Sequence, residues 1–204
     1  MELRDALTQI SEIRQQMART EVFRGYRALP VAFSGLLAVI AAVIQGVGIR
    51  DPAHQMPEYL GLWIGTAVVS ALAAGLEMAI RSRGTGQWLR REITLLAVEP
   101  FFPCLAAGGL LTLVLVRTAP ECLWMLPGLW QVMFSMGVFA SCRLLPKATF
   151  FVAIFYLITG LLTLTLAQGE SAFSPWSMGL PFGFGQLFAA GVLYRTLECH
   201  DDQS

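Results

Sequence analysis

Residues 30–49 read PVAFSGLLAVIAAVIQGVGI, a run with no charged side chain. A segment this apolar and this long spans a bilayer as a helix, since about 30 Å of hydrocarbon needs about 20 residues at roughly 1.5 Å each. Five more runs of that kind follow, at 59–80, 93–116, 123–142, 148–167 and 176–194. Together they cover most of the 204 residues and leave no stretch for a sizeable soluble domain. Composition agrees: 55% of residues are hydrophobic and 14% charged, where a soluble domain carries about 25% charge. The mean hydropathy is +0.61. The short alternating segments of a membrane β-barrel are missing. The expected fold class is therefore all-α, a compact bundle of six transmembrane helices over 28–196. An amphipathic segment (1–27) precedes it and a short tail (197–204) follows.

The basic residues orient these spans. Arg4, Arg14, Arg19, Arg24 and Arg27 precede the first span, and Arg81, Arg83, Arg90 and Arg91 lie between the second and third. Arg143 and Lys147 lie between the fourth and fifth, and Arg195 follows the sixth. Arg50 and Arg117 fall on the opposite side. Positive charge stays in the cytoplasm, which puts both termini there and the protein in the cytoplasmic (inner) membrane. The first 27 residues lack the apolar core and cleavage site of a signal peptide, so the first span is expected to act as the insertion signal.

Within 1–20, Leu3, Ala6, Ile10, Ile13 and Met17 recur at spacings of three and four, an amphipathic helix. Such a helix lies on the inner leaflet or against the bundle's own loops. Its other use is to dock a protein partner or a second copy of the chain. The loop RSRGTGQWLRRE (81–92) sets topology through its arginines. Arg81, Arg83, Arg90 and Arg91 also suit anionic lipid headgroups or another phosphate. The loops between spans are short, so sequential helices should be antiparallel neighbours. A faint repeat of three hairpins is suggested by RALP (27–30) against RLLP (143–146), and LPGLWQ (126–131) against LPFGFGQ (180–186). Trp63, Trp124 and Trp176 near the outer starts of the even spans fit that repeat, and equally an interfacial aromatic belt.

Two acids fall inside the spans. Glu77 precedes Arg81 by four residues, a helical ion-pair spacing, on a face with Ser70 and Ala74. Glu99 lies in LLAVEPFFPCLAAGG (95–109) with no basic residue four positions away. Pro100 and Pro103 cannot donate to the carbonyls of Leu96 and Glu99, which leaves two acceptors beside that carboxylate. Acids in membrane interiors are costly and mark functional sites by default. Their plainer use is capping a kink or bonding a neighbouring helix. Gln131 and Gln186 are further polar groups within spans, and their plainer use is hydrogen bonding between helices. Gly179, Pro181, Gly183 and Gly185, together with Pro100 and Pro103, are candidate hinges, and Gly179 and Gly183 also have the spacing of a helix-packing motif.

These residues suit a small transporter or an ion- or proton-coupled permeation protein, its polar site at Glu99, Glu77, Gln131 and Gln186. They also suit a non-transporting scaffold, sensor or assembly subunit, which recruits a partner through the N-terminal helix and the arginine loop. No hydrolase elbow, zinc-protease pair or intramembrane serine–histidine pairing appears, and enzymatic activity is not expected. Four cysteines without paired spacing, Cys104, Cys122, Cys142 and Cys199, and two histidines, His54 and His200, offer neither a metal nor a cofactor a recognisable site. Inner arginines that topology explains give no case for nucleic acid.

Overall fold

The computed structural model describes residues 28–81, 99–142, 145 and 147–198. The amphipathic segment 1–27, Arg83, Arg90 and Arg91, and the tail from 199 lie outside the described residues. The described chain is all-helical. Six α-helices occupy the six apolar runs: α1 (Ala28–Gly48), α2 (Met56–Arg81), α3 (Phe102–Thr118), α4 (Leu126–Ser141), α5 (Thr149–Leu166) and α6 (Pro175–Leu193). Short 3₁₀ turns at Glu99–Phe101, Pro120–Met125 and Gly169–Phe173 lead into α3, α4 and α6.

Four stretches are long and apolar enough to cross a membrane: Ala28–Gly48, Met56–Glu77, Pro120–Ser141 and Thr149–Leu166. The helix Phe102–Thr118 is apolar but shorter. Helix α6 falls outside the four because its glycines, its prolines and Gln186 dilute its hydropathy.

Prolines mark the helix starts. Pro103, Pro127 and Pro175 all lie in first turns, where the missing N–H has no helical acceptor to serve. The connection into α6 turns at Gly169, whose φ of 62° suits a residue without a Cβ.

Packing follows chain order with two exceptions, the α1–α6 seam and the α2–α3 pair. Helix α1 packs on α2, α3 on α4, α4 on α5 and α5 on α6, while the most extensive seam joins α1 to α6. Among the described residues, helices α2 and α3 are not principal neighbours. Close approach is built from residues with little side chain. A Cβ on Gly183 would sit 2.7 Å from Val39, and one on Gly179 would collide with Ala42. Across the α4–α5 seam, a Cβ on Gly128 would sit 2.8 Å from the Gly160 carbonyl.

The core has two parts. Where the connections 49–55, 119–125 and 168–174 gather, Tyr59, Trp63, Leu123, Leu126, Phe173 and Met178 bury one another against Ala38, Ala41 and Ala42. Further along, Phe134 meets Phe101, Tyr156 and Phe182 with ring centroids 5.0, 4.7 and 5.4 Å apart. A Cβ on Gly137 would sit 2.6 Å from the Phe101 ring, so that glycine makes room for it.

Candidate functional site: a buried glutamine pair at the start of α6

A polar side chain in an apolar helix must find partners in the bundle, because an unpaired amide away from water is costly. Gln131 of α4 is fully buried. Its Nε2 donates to the Ser177 carbonyl at 3.0 Å, with longer approaches to the Pro127 carbonyl (3.2 Å) and Thr163 Oγ1 (3.4 Å). The Ser177 carbonyl has a specific reason to need this donor. In α6 it would accept from the N–H four residues on, and that residue is Pro181. Helix α6 runs unbroken through Pro181, and a side chain from α4 supplies the hydrogen bond that the proline cannot.

Gln45 of α1 does comparable work one turn earlier. It is fully buried, and its Nε2 donates to the Phe173 carbonyl at 2.6 Å. Its Oε1 accepts from the indole Nε1 of Trp63 at 2.8 Å. One amide thus ties α1, α2 and the turn before α6 together. Tyr59 packs edge-on against Phe173, with ring centroids 5.2 Å apart, and closes the same corner.

Two further polar bonds join helices pairwise. Ser135 Oγ donates to the Ala153 carbonyl at 2.8 Å, fastening α4 to α5. Trp130 Nε1 donates to Thr112 Oγ1 at 2.9 Å, fastening α4 to α3. Among the described residues, four buried polar atoms have no hydrogen-bond partner: Tyr59 Oη, Gln131 Oε1, Thr149 Oγ1 and Tyr156 Oη.

The residues singled out in the sequence do not form one site. Gln131 lies between α4, α5 and α6. Gln186 is half-buried in the α1–α6 seam, where a Cβ on Gly35 would meet its Cβ at 3.0 Å. Glu99 is exposed in the turn before α3 rather than buried within a helix. Pro103 lies in the first turn of α3, just after this 3₁₀ turn. Pro100 lies in the same turn. Glu77 is half-buried at the rim of an open apolar groove between α1, α2 and α6. Arg81 ends α2.

Gly179 and Gly183 face α1, and Gly185 faces Tyr156 of α5, so all three serve close packing in this arrangement. Gln45 was missed by the sequence reading. The signal was present as the one amide in an otherwise apolar run, but its partners lie 18 and 128 residues away along the chain. No group of three or more potential metal ligands occurs among the described residues. No family model, curated protein or solved structure matches the chain.

Proposed function

We propose that this chain is a six-span protein of the cytoplasmic membrane, with both termini in the cytoplasm, that serves as a non-transporting scaffold or assembly module. Six apolar runs and the one-sided arginines support the topology. One observation carries the functional choice. The two fully buried glutamines donate to the carbonyls of Phe173 and Ser177 at the start of α6, and so act as fasteners between helices. Buried polar groups in membrane bundles commonly serve such bonding. The amphipathic segment 1–20 and the arginines of 81–91 would then offer the surface for a cytoplasmic partner.

A second reading, an ion- or proton-coupled permeation protein, draws on the four buried polar atoms without partners. Proton flux through proteoliposomes separates the two. The scaffold reading expects vesicles holding the protein to dissipate a pH gradient no faster than protein-free vesicles. Faster dissipation that Glu99→Gln or Gln131→Leu abolishes would overturn it and establish transport.

A further inference from the structure

We infer that the bundle moves as two halves, α1–α2–α6 and α3–α4–α5, which part along the face of α6 and stay joined at the corner where the connections gather. Within each half, backbones come close. Gly179 and Gly183 bring α6 onto Ala42 and Val39 of α1, and Gly128 and Gly160 do the same for α4 and α5. These are the most extensive seams among the described residues, and close-packed backbones leave little freedom to shift.

Helix α6 meets the other half differently, through ring tips. Phe182 lies against Phe134 and Tyr156 with ring centroids 5.4 and 5.3 Å apart, and Phe184 lies against Phe155 at 5.4 Å. That contact is much less extensive than the contact of α6 with α1. The same boundary carries polar atoms that burial penalises. Tyr156 is fully buried, and its hydroxyl abuts the α6 backbone, 2.6 Å from where a Cβ on Gly185 would sit. Neither Tyr156 Oη nor Gln131 Oε1 has a hydrogen-bond partner among the described residues. Both atoms weigh against the closed arrangement, and a boundary that admits water relieves both.

The hinge is the corner at the other end of the boundary. There Tyr59, Leu126, Phe173 and Met178 form one cluster that draws on both halves. Two close-packed bodies that share one corner and meet elsewhere through a thin face are arranged for hinge motion. The gap then opens where α2 ends and α5 begins. Arg81 ends α2 in one half, and Glu99 opens the turn into α3 in the other. Parting changes the distance between these two residues, and with it the arginine surface proposed above for a partner. That last step rests on the scaffold reading, whereas the parting itself does not.

The test is distance measurement by double electron–electron resonance in lipid vesicles, on the full chain with its four cysteines replaced by serine. Spin labels at exposed Ile80 of α2 and Phe151 of α5 read the gap between the halves. Labels at Ile80 and Leu187 of α6, and at Leu105 of α3 and Phe151, read each half by itself. The cross-half pair is expected to give two distances and each within-half pair one. Tyr156→Phe, which deletes the partnerless hydroxyl, should lower the ratio of parted to closed molecules about fivefold or more. Phe182→Leu, which removes the ring between Phe134 and Tyr156, should raise it. Single distances from the within-half pairs show that each variant is folded. One distance from the cross-half pair, two from either within-half pair, or a ratio that neither substitution moves would overturn the inference. Proton flux tests the scaffold reading separately.

Discussion

Helices α6 and α2 carry the same short pattern with opposite results. Gly179 and Gly183 of α6, and Gly61 and Gly65 of α2, are each separated by three residues. On α6 both glycines are spent: Ala42 and Val39 of α1 occupy the space a side chain would take. On α2 nothing among the described residues comes within 4 Å of a Cβ at either position. The difference lies in what the partner offers. Helix α1 presents Gly35, Ala38 and Ala42 along one face, so two small surfaces meet and the backbones close in. Helix α2 instead docks through two large side chains, Tyr59 and Trp63, and its later turns carry exposed Val68, Leu72, Leu76 and Ile80. A glycine spacing therefore permits close packing, and the facing helix decides whether it occurs.

The sharpest way to break that contrast is to fill both glycines with the same side chain. Gly179→Leu should destabilise the protein by about 3 kcal/mol or more, because the added atoms meet Ala42 and can be placed only by separating α1 from α6. Gly61→Leu should cost nothing and raise stability by up to about 1 kcal/mol, since open space receives the side chain and leucine is the better helix former. Thermal unfolding in detergent measures both. Similar losses in the two variants would show that α2 has a close partner on its glycine face.

The second contrast lies within α6 and concerns how a proline is carried in a helix. Gln131→Leu removes the donor to the Ser177 carbonyl and should cost about 1–2 kcal/mol. In a Pro181→Ala background the restored N–H can serve that carbonyl itself. There the same Gln131→Leu change should cost under about 0.5 kcal/mol. A double-mutant cycle thus predicts a coupling of about 1 kcal/mol between two residues on different helices. An additive result would mean that Gln131 stabilises the bundle through Thr163 or Pro127 and leaves the proline unattended.

The apolar runs were enough to place all six helices to within a few residues, apart from α3. There the first part of the run, 93–98, lies outside the described residues, and the described part opens with a 3₁₀ turn at Glu99–Phe101 before the α-helix from Phe102. Glu99 is exposed in that turn, with Pro100 beside it and Pro103 in the first turn of the helix. A proline in a long apolar run is compatible with a kink or with a helix start. Chain-local information does not choose between them, since the choice depends on how neighbouring segments pack. Pro181 went the other way and is held inside α6 by Gln131. The α1–α6 seam was illegible for a related reason, as it joins the first and last helices, whereas short loops argue for sequential neighbours. Gln131 was legible as an interhelical hydrogen bonder, but its acceptor was not, because a carbonyl's need for a donor shows only once α6 is known to continue through Pro181.

A smaller loss than those of Gly179→Leu and Gln131→Leu tests the corner where α2 does join the bundle. Trp63→Phe keeps most of the ring volume and deletes the indole N–H that donates to Gln45 Oε1. Interhelical hydrogen bonds in membrane bundles contribute about 0.6 kcal/mol on average, and loss of this one should cost about 0.5–1 kcal/mol. Gln45 keeps its bond to the Phe173 carbonyl in that variant, so the turn before α6 should stay in place. Gln45→Leu removes both bonds, leaves the Trp63 N–H buried and unpaired, and should cost more than Trp63→Phe. If the two substitutions cost the same, Gln45 acts through the indole alone. The Phe173 carbonyl would then contribute nothing to the fastening of α1, and the likeness drawn between Gln45 and Gln131 as donors to the start of α6 would fail at its weaker member.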